Sequence, residues 1–276
     1  MKKAVFILLG QSNAVGHGIP MAETERITVP LKNVFGLHRK DNQSFDIKEL
    51  IWRGYESGGM NLAEEQDHTW SLANCLARQW QDQIDAGADL PDLYIVQIAI
   101  GAQGVTEKYM WHPDREEKLI PGKLGKVDIS LFPFACHIFS LLSKSLGDFQ
   151  IIGLHWRGGE EDTAEDRQLL EEKLAPVYRR IFDTFNSLLK TPPTVLHAIH
   201  CPNRFNDAGR ENMYYINEVF DSLAEEYPNI TVFDVRKAPF FDPQTTENGI
   251  FKEDLVHYTP RTNRWVAQCI LEDYRK

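Results

Sequence analysis

The chain has 276 residues and a net charge of −10, from 30 basic and 40 acidic side chains. Hydrophobic residues at 42% and charged residues at 25% match a globular chain, which excludes a wholly disordered segment, a collagen and a disulfide scaffold. No apolar run nears the roughly 20 residues that span a bilayer. No Lys/Arg block offers a phosphate-tracking surface either, so neither membrane nor nucleic acid is expected as a partner.

The first expected element is a strand over Val5–Leu9. Lys2-Lys3 ahead of this apolar run resembles the start of a signal peptide. The run is shorter than the about seven residues such a segment needs, and no small-residue cleavage site follows. It is read as a strand buried on both faces, in a cytoplasmic protein. Directly after it comes Gly10-Gln11-Ser12-Asn13-Ala14-Val15-Gly16. A serine there sits on a tight strand-to-helix turn, hydroxyl exposed, with its own N–H able to point into a site. The same residues also suit an ordinary N-cap. The spacing is neither the GxSxG elbow nor a P-loop.

Residues 16–67 are rich in Gly, Pro and charge, and read as a functional loop or a small insertion. A helix is expected over Trp70–Ile84, with Leu72, Cys75, Leu76 and Trp80 apolar. A strand over Leu93–Ile100 runs into Gly101-Ala102-Gln103-Gly104, where small residues let backbone N–H groups approach a ligand. A second long loop covers 109–128. Then come a helix over Leu131–Leu146 and a strand over Gln150–Trp156. The loop Arg157-Gly158-Gly159-Glu160-Glu161-Asp162 leads into the longest helix, Asp162–Lys190. Thr163 with Asp166 reads as a capping-box variant, and Pro176 is expected to kink or divide the helix. A strand over Thr194–Ile199, a helix over Glu211–Tyr227 and a strand over Ile230–Val235 follow. Asp254-Leu255-Val256-His257 precedes a last helix, Pro260–Tyr274, opened by a proline suited to a first turn.

Strands alternating with helices predict a three-layer α/β/α sandwich with a flavodoxin-like, mostly parallel sheet of about five strands. One domain is expected over 1–276. In such sheets ligands bind at the carboxyl ends of the strands, near which these peptides fall. A serine nucleophile needs a base, and the base needs a carboxylate to orient it. Asp254 and His257 can fold toward one point, although the same peptide also suits a surface turn.

In this order the peptides resemble the SGNH (GDSL-like) hydrolase superfamily. Within it they resemble the family-six type of carbohydrate esterase, the branch with sialate O-acetylesterases and acetyl xylan esterases. That branch carries a GQSN block, a Gly-Gly-Thr-type block with a later Trp, a Trp-x-Gln-Gly-Glu-x-Asp block and a terminal Asp-x-x-His. The first and last are matched fully, and the resemblance runs from about Val5 to Trp265. It implies Ser12 as nucleophile, His257 as general base and then acid, and Asp254 as its orienter. It places the N–H groups of Ser12 and of Gly101 or its neighbour Ala102 in the oxyanion hole. Gln11, Asn13, Arg157 and Glu160 would bind substrate or shape the loops, with Asp162, and Trp111 would line the pocket. The implied reaction removes an O-acetyl group from a carbohydrate through an acetyl-enzyme, without metal or organic cofactor. The implied partner is a small-molecule or oligosaccharide acetyl ester. Another SGNH esterase, lipase or thioesterase, or a carbohydrate-binding protein with a weakened site, are the alternatives. Sugar identity and oligomeric state are not legible.

Two departures bear on this reading. Gly158 stands where the branch has a Gln whose amide is an expected oxyanion donor. Losing one donor costs about 3 kcal/mol, or roughly 10²–10³ in rate. Arg157 and Asn13 are the expected substitutes. Ala102-Gln103 replaces Gly-Thr, a milder change because Ala keeps its N–H. Outside the blocks, His17, His68 and His112 are candidates to line the pocket or to sit at the surface. His197 and His200, three apart on a strand, face opposite sides and do not predict a shared metal. Trp52, Trp70, Trp80 and Trp265 read as packing residues, and Cys75, Cys136, Cys201 and Cys269 as free, mostly buried thiols.

Overall fold

The structure, a computed structural model, describes residues 3–17, 20–65, 68–121 and 127–276. Lys2 and parts of both long loops (18, 19, 66, 67 and 122–126) lie outside the described residues. The chain runs β1 (Lys3–Gly10), α1 (Ser12–Val15), β2 (Val34–Leu37), α2 (Arg39–Asn42), β3 (Trp52–Gly54), α3 (Leu72–Asp85) and β4 (Leu93–Ala99). It continues with β5 (Leu119–Pro121), β6 (Val127–Ile129), α4 (Leu131–Leu146), β7 (Phe149–Arg157) and α5 (Arg167–Leu189). The last elements are β8 (Thr194–His197), α6 (Asp207–Glu226), β9 (Ile230–Phe233) and α7 (Pro260–Tyr274).

The main sheet has seven strands in the order β3-β2-β4-β1-β7-β8-β9. Its five expected strands are all present and parallel, in flavodoxin-like order. The two additional strands correct the expected count and come from the stretch read as a loop. β2 joins β4 in parallel, and β3 returns antiparallel beside β2. Both have at most four residues, with β3 at the sheet edge, too short to show a hydrophobic period. The second loop also contains structure, the antiparallel pair β5-β6.

β1 explains the three layers. Val5, Ile7 and Leu9 enter one core with α4, α5 and α6. Ala4, Phe6 and Leu8 enter the other with α3 and α7. A strand has a side-chain period of two, so an unbroken apolar run can only be satisfied when helices cover both faces.

Helix ends follow side-chain capping. Ser71 Oγ accepts from Asn74 N at 3.0 Å and opens α3. Thr259 Oγ1 accepts from Thr262 N at 3.2 Å ahead of Pro260. α5 starts at Arg167, later than the sequence suggests, because Asp166 caps it by accepting from Gln168 N at 2.9 Å. Thr163 Oγ1 donates instead to the Glu160 carbonyl at 2.6 Å. Pro176 does not divide α5. The buried row Leu170, Leu174, Tyr178, Ile181, Phe182 and Phe185 carries the helix past it. No helix among the described residues is long and apolar enough to cross a membrane. The four cysteines are free, with Cys75 and Cys201 buried.

Candidate active site

A cleft of about 670 Å³ opens where β1, β4 and β7 end, and Ser12, His17, Gly101, Ala102, Glu160 and His257 are among its walls. Its floor begins at Gly10, whose φ is +133°. A Cβ there would collide with the backbone carbonyl of Arg157 on β7, so only glycine permits the turn. Gln11 N then donates to that carbonyl at 2.8 Å. One turn of helix follows, in which Ala14 N and Val15 N donate to the Gln11 carbonyl at 2.7 and 2.9 Å. The Ser12 amide has no acceptor among the described residues.

The loop before α7 supplies the second half. His257 Nδ1 donates to Asp254 Oδ2 at 2.7 Å. Asp254 Oδ1 accepts from His257 N at 2.9 Å and Val256 N at 3.1 Å, and Lys252 Nζ lies 2.9 Å from Oδ2. Burial alone would raise the Asp254 pKa. The His257 amide, the Lys252 ammonium, the His257 imidazole and the Val256 amide outweigh it and hold the carboxyl well below the usual range. The carboxylate is therefore ionised and fixes the imidazole with Nε2 away from it.

Asn13 joins the two halves. Its Nδ2 donates to the Val256 carbonyl at 3.0 Å, and its Oδ1 accepts from Tyr258 N at 3.1 Å. The residue after the nucleophile thus holds the backbone on both sides of His257. Glu160 completes the joint: Oε1 accepts from Asn13 Nδ2 at 2.8 Å and Oε2 from Gln11 Nε2 at 2.6 Å. Asp162, fully buried, accepts from Val105 N at 3.0 Å and Thr106 N at 3.4 Å, which anchors the turn after β4. Burial pushes its pKa up to about 7 against those amides.

Several expectations need correction. The Gly101 amide is bonded to Glu64 Oε2 at 2.7 Å, so it is not open to a substrate oxygen in this structure. Its neighbour Ala102 is exposed and held at φ +59°, and its amide has no acceptor among the described residues. Asn13 cannot replace the missing donor of position 158, because its amide group is engaged by Glu160 and Val256. Arg157 cannot either. It is 1% exposed, outside the cleft wall, and its Nη1 donates to Asn263 Oδ1 at 2.6 Å with the guanidinium 4.9 Å over the Tyr258 ring. Burial pushes its pKa down to about 10. Trp111 is fully buried rather than pocket-lining. Its Nε1 donates to the Gly10 carbonyl at 3.1 Å, and it packs edge-on against Trp156. These side chains shape the site from behind.

Of the loop histidines only His17 reaches the cleft; His68 and His112 line other depressions. His197 is buried and shares a 2.9 Å hydrogen bond with His155, whereas His200 lies beyond β8 and pairs with Asp234 at 3.2 Å. Trp80 and Trp52 pack, with indole N–H groups on the Pro91 carbonyl and Ser145 Oγ. No cluster of three or more His, Cys, Asp or Glu side chains suited to a metal occurs among the described residues. A larger groove, about 810 Å³, lies between β7–β9 and α7, but contains no serine and none of the four blocks' polar side chains. Sequence reasoning missed Glu64. It lies within the long loop, 37 residues before Gly101, and the only available signal was an acid directly after Leu62-Ala63.

No family model matches the chain, and neither does any curated protein. Solved structures do. NanS aligns over 99% of this chain and 98% of its own, at 17% identity and a TM-score of 0.62. The Arabidopsis thaliana protein AT4G34215 aligns over the same shares, at 16% identity and a TM-score of 0.62. LAE5, an alpha/beta hydrolase enzyme from the metagenome of Lake Arreo, Spain, aligns over 98% of this chain and 94% of its own, at 12% identity and a TM-score of 0.51.

Proposed function

The chain carries the SGNH-hydrolase fold, and from that premise we propose that it is a serine carboxylic-ester hydrolase acting on O-acetyl groups of a carbohydrate. The observation that carries the reading is the Asn13 bridge. It fixes the Asp254–His257 pair beside the residue that follows Ser12, at the mouth of one cleft. In the proposed reaction His257 Nε2 takes the Ser12 proton as Oγ attacks the ester carbonyl. The intermediate collapses to an acetyl-enzyme as His257 returns the proton to the leaving sugar oxygen. Water, activated by the same imidazole, then releases acetate.

The cleft wall supports a small acyl group on a hydroxylated carrier. Gln11, Glu160, Glu161, Arg204 and Asn206 line it, against few large apolar side chains such as Phe205 and Val256. A long acyl chain would lie against charge without hydrogen bonds, which is unfavourable. A second reading, a glycan-binding protein with a weakened site, draws on Gly158 and on the engaged Gly101 amide.

The test is hydrolysis of p-nitrophenyl acetate and p-nitrophenyl butyrate by the wild type and Ser12→Ala, followed by a panel of acetylated glycans. Acetate turnover that the substitution abolishes, with butyrate poor, is expected. Full activity in Ser12→Ala would refute the serine mechanism. Equal butyrate turnover would refute the acetyl preference. Glycan binding without any Ser12-dependent turnover would favour the second reading.

A further inference from the structure

The scissile carbonyl meets fewer donors than the four-block layout implies. Position 158 has no side chain, the Gly101 amide faces Glu64, Asn13 is engaged elsewhere, and Arg157 is buried outside the cleft wall. The amides of Ser12 and Ala102 have no acceptor among the described residues. Beside this gap stands a second imidazole.

We infer that His17 supplies the missing donor, its Nδ1–H bonding the oxyanion while Glu64 holds the ring in place; this rests on the serine-esterase reading. His17 Nε2 donates to Glu64 Oε1 at 3.0 Å. Glu64 is 5% exposed and well anchored. Its backbone carbonyl accepts from Asn61 Nδ2 at 2.9 Å, and Asn61 is itself bonded to both backbone groups of Ala99, at the end of β4, at 2.9 Å. The imidazole is thus tied through one carboxylate to a central strand. It lies against the Gly101 turn, where a Cβ would come 2.5 Å from His17 Cε1. Its edge meets the His257 ring at 5.8 Å between centroids. With Nε2 on Glu64, the other nitrogen has no partner among the described residues and is not sealed in the protein, on a side chain that walls the cleft.

A carboxylate only accepts, so Nε2 carries a hydrogen, and a donor at Nδ1 as well requires the imidazolium. Charge-assisted hydrogen bonds are roughly twice as strong as neutral ones. One such donor is the right order to replace a lost amide at an oxyanion. His17 transfers no proton. Ser12 Oγ bonds to the carbonyl carbon, the Ser12 proton goes to His257 Nε2, and the carbonyl π pair moves to the oxygen that His17 Nδ1–H faces. On collapse the bond to the leaving oxygen breaks, that oxygen takes the proton from His257, and the oxyanion pair re-forms the carbonyl.

Two neighbouring imidazoles then need opposite states, His257 neutral and His17 charged. The ionisable groups facing His17 are Glu64 from the first long loop and His257 from the last. Behind His257 lie Asp254 and Lys252, and the other charged cleft residues are Glu160, Glu161 and Arg204.

The test measures kcat and KM for p-nitrophenyl acetate from pH 5 to 9 on the full chain, as wild type, His17→Ala, His17→Gln and Ser12→Ala, with thermal unfolding of each. His17→Ala should lower kcat by about 10²–10³ with KM changed less than about twofold. His17→Gln, whose neutral amide keeps a donor at that position, should recover at least about tenfold of that loss. A kcat near wild type in His17→Ala, or no recovery in His17→Gln, overturns the assignment. If His17→Ala fails to fold, His17→Leu, which keeps bulk without a donor, takes its place in the comparison. Unchanged activity in Ser12→Ala is a different result: it overturns the underlying reading.

Discussion

Asp254 shows how one side chain carries several duties. It caps its own loop through two amides and orients His257 through the second oxygen. An amide in its place presents an N–H to the imidazole and favours the wrong tautomer. Asp254→Asn should therefore lower kcat by about 10⁴ while leaving the fold intact, checked by steady-state kinetics beside a far-UV spectrum. A loss below tenfold would remove Asp254 from the mechanism. At this scale Ser12, Asp254 and His257 were legible because each stands in a short motif with fixed chemistry. Glu64 was not, since its partners Gly101 and His17 meet it only through folding. The functions expected of Trp111 and Arg157 shifted for the same reason. Arg157 turns inward at the end of β7 and Trp111 within a turn of the second long loop, and no spacing rule reports which face of a turn a side chain takes.

The elements contribute by where they end. β1, β4 and β7 are neighbours, so their carboxyl ends deliver the serine turn, the Gly101 turn and the Glu160 loop to one place. Glu160 is the rivet between the first and third of these, accepting from Gln11 and Asn13 at once. Glu160→Gln replaces one acceptor oxygen by a donor that faces another amide. A hydrogen bond to a charged group contributes about 1.5–3 kcal/mol, so urea unfolding should show a loss of about that size. Turnover should fall more than stability suggests, because Asn13 also holds the backbone around His257. Equal denaturation midpoints for variant and wild type would show that the joint is not rigid. The five main strands and five long helices were legible from apolar runs and helical spacing. β2, β3 and the β5-β6 pair were not, because strands of three or four residues have no measurable period.

Over the whole molecule, buried titratable groups set how stability depends on pH. The His155–His197 pair is kept neutral by burial, His155 with a pKa pushed down to about 3 and His197 also well lowered. Below the ordinary histidine range the unfolded chain binds protons that the native pair refuses, so stability falls as pH drops through about 6.5. Asp162 acts in the opposite sense. Burial raises its pKa to about 7, so between about 4 and 7 the native state binds the extra proton and stability rises on acidification. Asp254, held low, adds stability that disappears only below about pH 4. Asp162→Asn removes the counterweight. Its urea midpoint should fall more steeply than that of wild type between pH 6 and pH 4.5. Parallel curves for the two proteins would show that Asp162 is ionised in the native state throughout that range.

The sequence by itself determined the layers and the peptides from which the proposed site is built. Unbroken apolar runs require helices on both faces, and GQSN with a distant Asp-x-x-His requires that its parts be brought together. Tertiary structure alone decided which polar groups stay available once the parts meet. Each donor and acceptor can be engaged only a limited number of times, and its partner is whichever group the fold places beside it. Glu64 engages the Gly101 amide, Asn13 engages the His257 loop, and His17 is left at the cleft wall with one ring nitrogen unpaired among the described residues.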